Sequence, residues 1–358
     1  MNRPPMRSWI EVDLKRLEDN VRGIKSHFPT GVKYICVVKA DAYGHCMPQA
    51  VGRFLRGGAD IFAVANLHEV SRVREIVSSK PVLVLSPILY AERHLVFDYG
   101  ATPSISNMEE ARHFDSLSAA VGKVLDVHIK VDTGMGRVGV WHEKAVQFIE
   151  EAMSFKNIRI AGIFSHFSCA DTDKDYTFFQ YNLLKNIVSR FDVSNMLIHM
   201  HNSAALEYIP LETPFNAVRV GLLQYGINPR GYSANGAMGI RQVLSFKAKV
   251  AGVSNTAQGG RIVSISAGYA DGVPAGFKGS AYVLIGQERC PVIGHVSLDE
   301  CFADASAVSD VKVGDEVVFI GEQGSHSIDL CDYSKWTCRI PWETMVAIPK
   351  RVERVLIA

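Results

Sequence analysis

Val37-Val38-Lys39-Ala40-Asp41-Ala42-Tyr43-Gly44-His45 sets one lysine at the end of the apolar run Tyr34–Val38 and follows it with small and turn-forming residues. Such a run reads as a buried strand, so Lys39 stands at that strand's C-terminal end. Barrel enzymes carry their chemistry at this end of their strands. A lysine held there can form a Schiff base with an aldehyde cofactor, and desolvation lowers its proton affinity enough to make it a base. Read alone, such a residue is more often an ordinary strand-end lysine facing solvent. Its surroundings decide.

Outward from Lys39, the first two thirds of the chain alternate β-branched runs with helical patterns. Trp9–Val12 reads as a strand, and Leu14, Leu17, Val21, Ile24 and Phe28 then recur on one helical face. Further apolar runs occupy Ile61–Val64, Val82–Leu85, Val124–Val131, Ile158–Phe164 and Met196–His199, with Phe179, Leu183 and Ile187 as a helical stripe between two of them. Strands apolar on both faces and alternating with helices imply a helix-covered parallel sheet, and the number of units points to a TIM-type barrel. The texture changes after Pro229. Residues 230–239 are rich in turn formers and read as a linker. Short alternating strands follow at Phe246–Val253, Ala281–Ile285, Pro291–Val296 and Glu316–Ile320. The expected fold class is α/β, a TIM-type barrel over residues 1–232 followed by a C-terminal all-β domain over 233–358.

Bulk composition narrows the class. Of 358 residues, 47% are hydrophobic and 21% charged, which suffices for a sizeable core. With 38 basic against 37 acidic side chains, no charge excess favours nucleic acid or an anionic membrane. No apolar run is long enough for a membrane span, and the start, Met1 to Ser8, lacks the apolar stretch of a signal peptide. The 7 cysteines are scattered with no C-x-x-C pair and read as reduced thiols of a cytoplasmic protein.

Other polar groups also fall just after apolar runs, as a barrel mouth requires. Lys130-Val131-Asp132-Thr133-Gly134-Met135-Gly136-Arg137 brings a second lysine, a glycine-rich turn and an arginine. Ser165-His166-Phe167 follows the next strand, then His199-Met200-His201-Asn202-Ser203-Ala204-Ala205, and Val218-Arg219-Val220-Gly221 leads to Tyr225-Gly226. Singly, His166 is as well a core histidine, Asn202-Ser203 a helix cap and Arg219 a surface ion pair. Jointly and in this order they form one constellation.

Together these segments resemble the alanine racemases that depend on pyridoxal 5′-phosphate (PLP). The resemblance runs from Trp9 to about Ile357 and rests on the K-A-D-A-Y-G-H, D-T-G-M-G-R and H-x-x-N-S-A-A strings. It implies an eight-stranded barrel plus a β domain. It also implies a head-to-tail homodimer in which one subunit's β domain completes the other's site. Lys39 would carry the cofactor and move the proton on the D face of the substrate. Tyr43, Ser203 and the backbone amides of Gly221 and Leu222 would bind the cofactor's phosphate, and Asn202 would also contact the cofactor. Arg219, with His166 behind it, would face the pyridine nitrogen and keep it unprotonated, favouring proton return over transamination. Lys130 matches a position that is carbamylated in many members, where it orients Arg137 toward the substrate carboxylate.

The β-domain half departs from the family. Its second base is a tyrosine in a V-S-Y-G-x-T-Y-like string, but here Val250 to Ala267 runs straight into Gly268-Tyr269-Ala270-Asp271-Gly272 without it. Tyr269 is the candidate substitute. An entrance arginine has become His295, a substrate-contacting methionine Leu298, and a phosphate-binding tyrosine Trp342, whose indole donates but cannot accept. The family's R-V-P-R reads Arg351-Val352-Glu353-Arg354, and Cys46 replaces a usual glycine. The expectation is racemisation of L- and D-alanine, supplying D-alanine for peptidoglycan. A one-base PLP enzyme (another racemase or a decarboxylase) and a PLP-holding protein with little turnover are the alternatives.

Overall fold

The computed structural model describes residues 6–230, 238–277 and 281–358. In chain order the strands of the first half are β1 (Ser8–Asp13), β2 (Lys33–Val37), β3 (Ile61–Val64), β4 (Val82–Val84), β5 (Thr102–Ile105), β6 (Leu125–Asp132), β7 (Val140–Trp141), β8 (Ile158–Phe164), β9 (Leu197–His199) and β10 (Ala217–Val220). Strands β2, β3, β4, β5, β6, β8, β9 and β10 pair side by side, and β10 returns to β2. Every pairing in that ring is parallel, so the sheet closes into an eight-stranded barrel. The two-residue β7 is only appended to β6.

Burial explains the strands. All residues of β3, β4 and β10 are buried, because helices cover one face and the barrel interior the other. Two barrel strands escaped the reading of apolar runs for a physical reason: β5 is Thr-Pro-Ser-Ile, and β10 carries Arg219 inside the ring. The helix Leu14–Lys25 begins where Asp13 accepts from the Arg16 amide, and it buries Leu17, Val21 and Ile24 as their spacing predicts. It crosses the helix Met47–Gly57 so closely that a Cβ on Gly57 would lie 2.8 Å from Val21 Cβ. The helix Lys174–Val188 forms as expected but turns a different stripe inward. Thr177, Gln180, Tyr181, Leu184 and Ile187 are buried while Phe179 is exposed. The inward polar groups have work there: Gln180 Oε1 accepts from the Ser168 amide at 3.0 Å, and its Nε2 donates to Thr133 Oγ1.

The second half is all-β, with β11 (Leu244–Asn255), β12 (Arg261–Ile265), β13 (Tyr282–Ile285), β14 (Glu288–Ile293), β15 (Cys301–Asp304), β16 (Glu316–Gln323), β17 (His326–Ile328) and β18 (Glu353–Ile357). Antiparallel pairings close β11, β12, β15, β14, β13 and β16 into a second ring. One expectation is corrected. Strand β1 is no part of the TIM-type barrel: it lies antiparallel to β11 and parallel to β18, so residues 8–13 belong to the β domain. Alternation of a strand with a helix is a local signal and says nothing of which sheet the strand joins. Most of the expected linker, and the boundary at 232/233 with it, lies outside the described residues. Among the described residues no helix is long and apolar enough to cross a membrane.

Ile10 is fully buried on β1 between Phe246 and Arg354. Ile10→Ala should destabilise the protein by about 2–5 kcal/mol. Hydrogen exchange should show the loss in β11 and β18 and leave the barrel strands protected; loss confined to β2 and β10 would contradict this placement of β1.

Candidate active site

A cavity of about 580 Å³ opens at the C-terminal ends of the barrel strands. Lys39 enters it after β2, Lys130 from β6, His166 after β8, Asn202 and Ser203 after β9, and Arg219 from β10. The sequence constellation is therefore one site. Arg137, Tyr43, Gly221, Leu222 and Trp342 also line it. Tyr269 and Leu298 do not. They sit together on the β domain, where the amides of Tyr269 and Ala270 donate to the carbonyls of Ser297 and Leu298, and both side chains are about half exposed.

The loop after Lys39 is unusual. Ala40, Asp41, Ala42 and Tyr43 all have positive φ, between 51° and 55°, a left-handed helical turn. L-residues lose roughly 1–2 kcal/mol each in that conformation, so the surroundings must hold it. Asp41 Oδ1 accepts from the Met47 amide at 3.0 Å and from Arg72 at 2.8 Å. Arg354 donates to the Gly44 carbonyl at 3.4 Å, tying the loop to the C-terminal segment. The turn carries Tyr43 into the cavity, packed on Tyr225 with ring centroids 5.0 Å apart. Gly221 lies close opposite, where a Cβ would come within 3.0 Å of Tyr43 Oη. Next to it Ser203 Oγ accepts from the amides of Gly221 and Leu223 at 3.1 and 3.2 Å, and Asn202 Oδ1 caps the Ala205 amide at 3.0 Å. The indole of Trp342 comes from the first turn of the helix Pro341–Ala347.

Charge in the cavity is mainly cationic: Lys39, Lys130, Arg137 and Arg219 line it, with Asp171 as the acidic residue of its wall. Burial lowers the proton affinity of Lys39, and Arg137 and Arg219 add to it. Lys130 is pushed down to about 8 by burial first and Arg137 next, 5.9 Å above the Phe164 ring. Among the described residues no carboxylate forms an ion pair with Lys39, Lys130, Arg137 or Arg219. Asp132 is turned to another use: its Oδ1 accepts the amides of Gly134, Met135 and Gly136, fixing the turn that presents Arg137.

Arg219 is buried and organises the histidines. It donates to the Ser165 carbonyl at 2.9 Å and to Nδ1 of both His166 and His199 at 2.8 Å. A guanidinium has no lone pair to give, so both imidazoles accept at Nδ1 and carry their proton on Nε2. His199 Nε2 in turn donates to His128 Nδ1 at 3.0 Å. Burial and then Arg219 hold His166 and His199 far below the usual imidazole range, so both are neutral. The His128 ring fits only because Gly162 has no side chain, a Cβ there falling 2.6 Å from Cε1. The sequence reading missed His128, His199 as a partner of Arg219, and Gly162. A histidine inside an apolar run, in Leu125–Asp132, was the available signal.

Acid should expose these histidines. Burial holds His45, His128 and His201 each near about 4 against an ordinary 6.5. Their contribution is complete above about pH 6.5 and is lost as pH falls toward 4, because the unfolded chain takes up protons that the fold refuses. The loss is about 1.4 kcal/mol per pH unit for each group. Urea titrations between pH 7 and 5 should show this slope, and His128→Gln should reduce it by up to one proton; a flat profile would contradict the buried neutral assignment.

Comparison with known proteins agrees with the fold. Family models described as "Alanine racemase, N-terminal domain" and "Alanine racemase, C-terminal domain" match residues 12–229 and 246–356. An alanine racemase of Halothermothrix orenii is 33% identical over 365 residues, covering 97% of this chain and 96% of that one. One from Methylacidiphilum infernorum is 31% identical over 362 residues, 97% of this chain and 92% of that one. The solved alanine racemase of Clostridium difficile 630 superimposes with a TM-score of 0.89 at 28% identity, covering 99% of this chain and 97% of that one. Barrel, β domain and full-length similarity together place this chain in the alanine racemase family.

Proposed function

We propose that this protein is a PLP-dependent racemase of L- and D-alanine. The observation that carries the reading is the half-buried, proton-poor Lys39 at a barrel-strand end, facing Lys130, Arg137 and Arg219, with which no carboxylate among the described residues forms an ion pair. A phosphate and a substrate carboxylate would supply the missing negative charge, so the donor set fits the cofactor. Lys39 would hold it covalently. Tyr43, Ser203, Asn202, Trp342 and the amides of Gly221 and Leu222, whose residues line the cavity, would surround its phosphate. Arg219, fixed by His166 and His199, would face the pyridine nitrogen. When bound, the cofactor supplies an electron-withdrawing ring that acidifies the amino acid's α-hydrogen. Lys39 Nζ takes or returns that proton on one face. Arg137 is the residue for the substrate carboxylate, and Lys130, pushed toward neutrality, is suited to carbamylation at its side of the cavity.

Tyr269 and Leu298 are half exposed on the β domain and do not line their own chain's cavity, which fits a head-to-tail homodimer in which they would face a second chain's site. Seven free thiols fit a reducing cytoplasm, and D-alanine for peptidoglycan is the purpose consistent with this activity. A second reading rests on one observation. The β11–β12 hairpin closes over residues 256–260, with the Thr256 amide donating to the Gly260 carbonyl at 2.8 Å, and this stretch holds no tyrosine. Without a base for the opposite face, the protein would exchange protons on one side and racemise slowly.

After borohydride reduction of the protein with PLP, the label should map to Lys39, and Lys39→Ala should lose both label and racemisation; a label on Lys130 would sink the assignment. Proton NMR in deuterated buffer separates the two readings. A one-base enzyme should exchange the α-hydrogen of D-alanine about 10²–10⁴-fold faster than that of L-alanine. Equal exchange with brisk racemisation would retire the second reading and make Tyr269→Phe of a second subunit the next variant.

A further inference from the structure

The helix Leu67–Arg74 opens with Asn66 as N-cap and Glu69 three residues on, the spacing of a capping box. In a capping box the glutamate returns to the N-cap amide. Glu69 instead reaches outward. Its Oε2 accepts from the Ala65 amide at 2.8 Å, and its Oε1 from the Ala40 amide at 2.6 Å. Ala40 directly follows Lys39 and is the first residue of the left-handed turn. Three positions along the same helix face, Arg72 holds Asp41, the next residue of that turn. One helix thus grips two successive residues of the loop that carries the cavity lysine.

We propose that Glu69 is the positioning residue for Lys39, one carboxylate oxygen anchored on Ala65 while the other fixes the peptide that aims the lysine. The charge on Glu69 has a second effect. Among the charged groups that act on Lys39, Arg137, Arg219 and Lys130 are cationic and Glu69 is anionic. It raises the proton affinity of Lys39 against burial and the two arginines. The chemistry of the lysine rests on the function proposed above; the geometry of the clamp does not.

Two readouts test it in full-length protein carrying Glu69→Ala or Glu69→Gln. Hydrogen exchange of the Ala40 amide should accelerate at least about tenfold in Glu69→Ala, the loss of one hydrogen bond, and less in Glu69→Gln, whose amide keeps one acceptor. The pH profile of PLP trapping at Lys39, read by borohydride reduction and peptide mass, should move to lower pH in both variants, a shift that a purely structural residue would not cause. Unchanged Ala40 exchange together with an unmoved profile would overturn the proposal. If Glu69→Ala does not fold, Glu69→Gln decides by the same profile. If wild-type protein traps PLP elsewhere than Lys39, the functional reading fails while the exchange result still judges the clamp.

Discussion

A guanidinium buried among imidazoles, with no carboxylate among the described residues paired to it, is the constraint on which the site depends. Arg219 keeps its charge, its proton affinity pulled down only to about 10 by burial and Arg137. It must therefore place its donors on neutral acceptors, and it finds a carbonyl and two imidazole nitrogens. That demand fixes the tautomers of His166 and His199, then of His128 behind them, and requires a glycine at 162 to admit the last ring. The ring of Phe164, 5.2 Å from the guanidinium, offers its negative face as further compensation. A carboxylate in this place would be satisfied by Arg219 and leave it less available to a ligand.

The left-handed turn shows how a barrel scaffold takes on local strain. Ala40 to Tyr43 would relax if free, yet each end is held: Glu69 and Arg72 grip the start, and Arg354 with the helix Pro341–Ala347 closes the end. At Gly44 a Cβ would lie 2.9 Å from the Met345 carbonyl, so the β-domain tail presses directly on the loop. The two halves of the molecule thus meet at the lysine. Strand β1 adds to this, leaving the β domain to begin the first barrel helix at Asp13.

Much of this was legible in the sequence, because barrel strands buried on both faces announce themselves as apolar runs. Lys39, Lys130, His166, Ser203 and Arg219 were found for the same reason: each polar group interrupts or ends such a run. What was not legible depends on three dimensions. Trp9–Val12 has the local pattern of a barrel strand, but its partners β11 and β18 lie more than two hundred residues away. Glu69 looks like a helix cap, since the amide it seizes belongs to another loop. His128 is hidden in β6, where only the empty space above Gly162 explains it.

The β domain presents its exposed residues on a stiff base. Arg351 bridges Asp271 at 3.0 Å and Asp299 at 2.8 Å, joining the segment of Tyr269 to that of Leu298. Gly268 is packed so tightly that a Cβ would lie 2.4 Å from the Ser297 carbonyl. A loop pinned by ion pairs and backbone contacts, yet holding an aromatic and an aliphatic side chain half in water, spends order on a surface that the single chain does not use. Such order gains a use when a second surface covers it. The cavity around Lys39 has the complementary property, cationic and open on one side. A head-to-tail dimer of the kind proposed would bring the two together. The lysine side of the cavity is thus built within one barrel, and the β11–β12 hairpin, closed over residues 256–260, carries no tyrosine to face it.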